Sequence, residues 1–309
     1  MTTLMTIRRA WHVLLVATLL AVTAAALGGT AEAAPAQLAP VKLTGIQRFQ
    51  ETTLGTSSPT SRNISASCPG TKRAVGGGAR TMNPIGQTTN GNVMLQALVP
   101  GTNSYFAQAV EKASGYSGNW SLTVYVICAD NVPGLGLQIV SVPSASPTPH
   151  FDPVQGWVND ATARCTGNRR LLGTGGIVGG PAGRVSFQQI RPNQQGGFAF
   201  VQGVREINVT NPFTVTAIAI CANPVEGWRV EIDGTDVNTG RVQTATATCD
   251  ADEQIVAAGL TKGDVNGFAH VDALVPQTLN RSLFSSGGIP DPTATYRWNL
   301  ASWAVCVTR

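Results

Sequence analysis

The six cysteines fall into three pairs, Cys68 and Cys128, Cys165 and Cys221, Cys249 and Cys306, whose members stand 60, 56 and 57 residues apart. The residues around each pair repeat in the same register. After the first cysteine come Ala74-Val75-Gly76-Gly77-Gly78, then Leu171-Leu172-Gly173-Thr174-Gly175, then Ile255-Val256-Ala257-Ala258-Gly259. Further on, Leu98-Val99-Pro100 is answered by Ile190-Arg191-Pro192 and by Leu274-Val275-Pro276. An aromatic, Trp120, Phe213 or Trp298, stands at one fixed distance before each second cysteine. Self-similarity at a fixed period is the signature of a repeat architecture. The chain reads as a leader at 1–33 followed by repeats at 34–131, 132–223 and 224–309.

Each repeat reads as strands. Trp120, Leu122, Val124, Val126 and Cys128 alternate onto one face, and Ser121, Thr123, Tyr125 and Ile127 onto the other, with the period of two that a pleated strand imposes. Shorter strands precede each first cysteine, at Ile64 to Cys68, Ala161 to Cys165 and Thr246 to Cys249. Others are expected at Val93 to Val99, Phe106 to Val110, Val185 to Ile190 and Phe198 to Val204. The glycines after the apolar pair suit a bulge, or a place where another backbone packs closely. With 34 Gly, 18 Pro and only 12% charged residues, composition favours short strands and many turns over amphipathic helices. The expected fold class is all-β, with three tandem, tightly packed, disulfide-pinned β-sandwich-like repeats. A pseudo-threefold, β-prism-like body is the alternative. A repeat that closes on itself pairs each first cysteine with its own second one.

The first segment reads as an export signal. Arg8 and Arg9 precede an apolar run from Val13 to Leu27, and Ala31-Glu32-Ala33 has the small-x-small form of a cleavage site, which puts the cut after Ala33. The Arg pair leaves general secretion and twin-arginine export both open. Export supplies the oxidising compartment that three disulfides require. No later apolar run reaches the roughly 18 residues of a membrane span. A net charge of +4 without any Lys/Arg-rich run gives no footprint for nucleic acid.

At Cys68-Pro69-Gly70 with Gly76-Gly77-Gly78 and the closing Trp120 to Cys128-Ala129, the chain resembles a broad group of actinobacterial secreted proteins built from Cys-Pro-x-Gly, Gly-Gly-Gly, Trp and Cys-Ala repeats. The likeness covers nearly all of the mature chain and is literal only in the first repeat, since Thr166 follows Cys165 and Asp250 follows Cys249. It implies an extracytoplasmic all-β protein and carries no activity with it. A fainter likeness is to β-prism proteins of the vitelline membrane outer layer family, whose repeats are shorter.

Catalytic motifs are missing from the pattern. His150 and His270 sit in no metal-binding spacing, and neither a nucleophile elbow nor a phosphate-binding loop occurs. No cofactor is expected. A weak calcium reading falls on Asp250, Asp252, Glu253 and Asp264, with Asp272 as a further donor. The plainer reading of that acidic loop is a solvated complement to the basic loops of the other repeats, Lys72-Arg73 and Arg169-Arg170. Candidate ligand-binding residues lie where one repeat departs from the others. Trp157 closes an insertion that also carries His150, Phe151 and Asp152, and a repeat-specific loop with aromatics is where a binding surface is grafted onto a scaffold. Trp303 and Tyr125 share an outward strand position and are weaker candidates. The expected function is a secreted, non-enzymatic protein that binds a glycan or cell-wall polymer. The alternatives are a structural envelope or matrix protein that self-associates, and a hydrolase using a carboxylate pair such as Asp264 and Asp272.

Overall fold

The computed structural model describes residues 39–55, 60–263, 266–277 and 281–309, all within one compact unit, Gln37–Arg309. The export signal and its cleavage site lie outside the described residues. Strands are numbered in chain order. The first sheet runs β1 (Gln47–Thr52), β6 (Ser121–Ala129), β3 (Arg73–Met82), β17 (His270–Gln277), β18 (Ser282–Gly288), β15 (Val242–Thr248). The second runs β2 (Ser61–Ser67), β5 (Ser104–Glu111), β4 (Val93–Pro100), β10 (Arg170–Gly179), β13 (Thr214–Ala222), β7 (Gln138–Pro143). The third runs β14 (Arg229–Gly234), β19 (Asn299–Thr308), β16 (Glu253–Gly263), β11 (Val185–Pro192), β12 (Phe198–Arg205), β9 (Gly156–Arg164), β8 (His150–Asp152). The fold is all-β, and every named pairing between strands is antiparallel.

The sheets do not coincide with the segments read from the sequence. The first sheet joins strands of 34–131 to strands of 224–309 at the β3–β17 seam, where Ala79 faces Leu274. The second joins 34–131 to 132–223 at β4–β10, with Leu98 opposite Gly176. The third joins 132–223 to 224–309 at β11–β16, with Ile190 opposite Leu260. Each segment therefore gives three strands to one sheet and three to another, and the third sheet adds β8. Self-contained sandwiches of two three-stranded sheets each would leave twelve sheet edges to protect, and sharing the sheets converts half of these into paired seams.

The disulfides Cys68–Cys128, Cys165–Cys221 and Cys249–Cys306 form as expected, and no cysteine is free. Their positions show what they do. Cys68 follows β2 in the second sheet while Cys128 lies on β6 in the first, Cys165 follows β9 in the third sheet while Cys221 lies on β13 in the second, and Cys249 follows β15 in the first sheet while Cys306 lies on β19 in the third. Each bridge thus ties a different pair of sheets.

The alternation in β6 is real, but both of its faces are buried. Trp120, Leu122, Val124, Val126 and Cys128 enter the main core, which also holds Phe213 and Trp298. On the opposite face Ile127 meets Ile220 and Val305, together with Val75, Leu172 and Val256 from the glycine-rich strands, and Leu43, Leu135 and Val225 from the connections complete this second core. Those short apolar connections are packed parts of the body. Burying the three fixed-position aromatics stabilises the fold by a few kcal/mol each. Trp120 Nε1 donates to the Glu111 carboxylate at 3.0 Å and Trp298 Nε1 to the Gly240 carbonyl at 2.7 Å, so their polar atoms are satisfied.

The glycines are explained at the second core. Each glycine-rich strand is bulged, between Ala74 and Gly76, Leu171 and Gly173, and Ile255 and Ala257. There β3, β10 and β16 approach one another backbone to backbone. A Cβ on Gly76 would overlap the Val256 carbonyl oxygen, and one on Gly173 would overlap that of Val75. Gly76→Ala is therefore expected to destabilise the protein by roughly 2 kcal/mol, read as a lower midpoint in urea unfolding.

Candidate binding groove

The outer face of the third sheet carries a candidate site. Register brings its residues together from four strands. Phe200 on β12 lies opposite Arg191 on β11, Gln189 opposite Thr261 on β16, and Gly259 opposite Trp303 on β19. Because Gly259 has no side chain and its backbone presses against that of Arg191, the Arg191 guanidinium spans from Phe200 to Trp303. Its central carbon lies 5.3 Å from the Phe200 ring centre and 4.9 Å from that of Trp303, within cation–π range. Arg191 Nε donates to Gln189 Oε1 at 2.8 Å, and Gln189 Nε2 donates to Gln202 Oε1 at 3.2 Å. Burial depresses the Arg191 pKa.

Beside this stack runs a groove of about 440 Å³ lined by Gln189, Arg191, Asn193, Gln194, Gln195, Phe198, Thr261 and Trp303. The β11–β12 turn forms one wall. Asn193 shapes it by accepting from the Phe198 N–H at 2.9 Å and donating to Gln195 Oε1 at 2.9 Å, which leaves the Gln194 and Gln195 amides at the surface. Trp303 Nε1 and Thr261 Oγ1 are shielded from solvent and have no hydrogen-bond partner in the protein. An aromatic and several amides in one concave strip can match the ring faces and hydroxyls of a saccharide.

The four residues of the 149–157 insertion also come together, at the edge of the same sheet. His150 faces Val158, Phe151 faces Trp157 and Asp152 faces Gly156 in the β8–β9 hairpin. Asp152 Oδ1 accepts from the N–H groups of Val154 at 2.8 Å and Gln155 at 2.9 Å, so its carboxylate closes the turn. Trp157 is wedged between Phe151, edge-on at 5.5 Å, and the Arg205 guanidinium at 4.8 Å. Phe151 is 56% exposed, and Val154 is 69% exposed at the hairpin tip. Strand alternation places Trp157 and Arg205 on the opposite face of the sheet from Phe200, so hairpin and groove are separate surfaces.

Two sequence expectations are corrected. Tyr125 does point outward from its strand, as Trp303 does, but it is fully buried under Arg48 and Arg80 and packs with Ala273, Val275 and Phe284. A ligand has no access to it. Among the described residues the acidic loop pairs with no basic loop of another repeat. Arg229, on β14 of the same segment, pairs with Asp250 at 3.0 Å, with Glu253 at 2.7 Å and with Glu231. With Asp250 and Glu253 committed there, the calcium reading loses two of its four main donors. Asp252 remains on the loop, and Asp264 lies outside the described residues. Lys72 pairs instead with Asp130 at 2.6 Å. Among the described residues, the one cluster of metal-type ligands is Cys249, Glu253 and Cys306, and its sulfurs are joined in a disulfide.

Asp272 occupies none of these surfaces. It is the extra residue of the β17 bulge, fully buried, with Oδ2 accepting from the Gly91 N–H at 3.1 Å. His270 Nδ1 meets the Gly91 carbonyl at 2.8 Å. The two side chains thus grip the backbone N–H and C=O of one residue, Gly91, in the turn between β3 and β4. Burial pushes the Asp272 pKa from the ordinary 3.8 up to about 6, against the opposing pull of the Gly91 N–H and the Ser286 hydroxyl.

No known protein family and no curated protein matches this chain. The site is therefore read from its own chemistry. Sequence reasoning named Trp303 and missed Arg191, Phe200, Thr261 and Asn193. A signal for Arg191 was present, since it stands where the matching triplets have Val99 and Val275. The described residues contain no helix long and apolar enough to cross a membrane.

Proposed function

We propose that the protein is a secreted, non-enzymatic binding protein that engages a glycan or cell-envelope polymer through the groove on the third sheet. The observation that carries this reading is the strip in which the Trp303 ring and the Arg191 guanidinium stand beside the side-chain amides of Gln189, Gln194 and Gln195. The scaffold suits the task, because three sheets tied pairwise by three disulfides hold the outer sheet faces rigid.

The test is retention of the mature protein on a panel of insoluble polysaccharides and cell walls. Trp303→Ala is expected to weaken retention about tenfold or more with an unchanged melting curve, whereas Trp157→Ala leaves retention intact. Loss with Trp157→Ala alone would move the binding surface to the hairpin. Retention on no matrix, with concentration-dependent self-association, would favour the structural envelope reading instead.

A further inference from the structure

We propose that the ligand of this groove carries an oxyanion, a sugar carboxylate or a phosphate ester, held by the free edge of the Arg191 guanidinium. The inference rests on the glycan-binding reading and specifies the class of saccharide.

Arg191 is set apart by lying over two rings, Phe200 and Trp303. Among the described residues no carboxylate lies within ion-pair distance of it, and its single hydrogen bond is spent through Nε on Gln189. Both terminal nitrogens are uncommitted. Other arginines on aromatic rings lie over one ring each; Arg48 and Arg205 also donate to the carbonyls of Pro276 and Asn211, while Arg80, Arg164 and Arg170 share with Arg191 the lack of an ion pair among the described residues. The scaffold does not require a cation at the Arg191 position, since Val99 and Val275 fill it in the matching triplets.

The geometry also fixes orientation. Phe200 and Trp303 hold the guanidinium from two sides, and the Gln189 bond sets its rotation. A planar fork held in this way presents two parallel N–H donors, the arrangement that matches a carboxylate or phosphate bidentately. Its other neighbours in the groove, Gln189, Asn193, Gln195 and Thr261, are neutral and hydrogen-bonding. They suit the hydroxyls of the sugar that bears the charge. Partial desolvation strengthens the attraction and disfavours leaving the cation unpaired.

The experiment titrates the disulfide-intact protein with a uronic acid oligomer, the same oligomer with its carboxylates methyl-esterified, a sugar-phosphate polymer and inorganic phosphate, followed by tryptophan fluorescence. The uronate or the phosphate polymer is expected to bind at least tenfold more tightly than the methyl ester, and more weakly as salt is raised. Arg191→Gln should bring the acid down to the level of the ester, while Arg191→Lys, which keeps the charge and loses the fork, restores only part. Equal binding of acid and ester, or a folded Arg191→Gln protein that binds the acid as wild type does, overturns the oxyanion and leaves the glycan reading standing. No binding of any saccharide, charged or neutral, overturns both. The ester comparison needs no variant, so a poorly folding Arg191→Gln chain still leaves a decisive result.

Discussion

Replacing Cys249 and Cys306 together by Ala is expected to cost about 4 kcal/mol of stability. In the chain-entropy account, the loss comes from releasing a loop of 57 residues in the unfolded chain. For a body of this size such a loss lowers the melting temperature by roughly 10 °C. Calorimetry of the double variant, with a peptide mass map showing the other two bridges intact, measures it. The position of the bridge adds a second expectation. It fastens the β15 end of the first sheet to β19 of the third. Amide exchange should therefore rise in both sheets and not in one segment alone. A loss below about 1 kcal/mol would mean that the unfolded chain is already restricted without the bridge.

Asp272→Asn is expected to remove a pH dependence. A carboxyl whose pKa is higher in the folded than in the unfolded state keeps its proton longer in the fold. Its contribution is neutral below pH 4, where both states are protonated, and turns against the fold as pH rises toward 6. The displacement from 3.8 to about 6 corresponds to about 3 kcal/mol lost across that window and absent thereafter at any higher pH. The amide of Asn keeps an oxygen for the Gly91 N–H and carries no charge to desolvate. The variant should gain up to about 3 kcal/mol over wild type at pH 7 and nothing at pH 3.5. Total stability follows a different course, because Asp130, Asp291 and Glu253, whose pKa values are held low, lose their contribution on acidification. The difference between the two urea-unfolding curves isolates Asp272. A constant difference at all pH values would show that packing or hydrogen bonding, and not ionisation, separates the two proteins.

Much of the architecture is legible in the sequence wherever a local pattern carries it. The cysteine spacing gives the three bridges, the period of two gives β6, β13 and β19, and the glycines give the bulges. The edge strands β1, β7 and β14 escape notice because a strand paired on one side, such as Gln47–Thr52, needs little apolar alternation. The seams are invisible for a different reason. Ala79 opposite Leu274 is a meeting of two residues that each look like the interior of their own segment, and nothing nearby in sequence says which edge they find. The groove inherits this blindness. Arg191, Phe200, Thr261 and Trp303 share a face only after β11 and β16 have joined, so single positions could be suspected while the constellation could not.

The first sheet has a consequence for synthesis. Its β1, β6 and β3 emerge early, but the β3 seam is filled by β17, with β18 and β15 beyond it. A chain emerging from its N-terminal end therefore cannot complete this sheet until the last third of the sequence has been made. Until then the exposed edge of β3, rich in Ala and Gly, is a template for any strand that reaches it, including one from a neighbouring chain. Folding here is a closing of a ring, in which the final segment supplies the partner for the first.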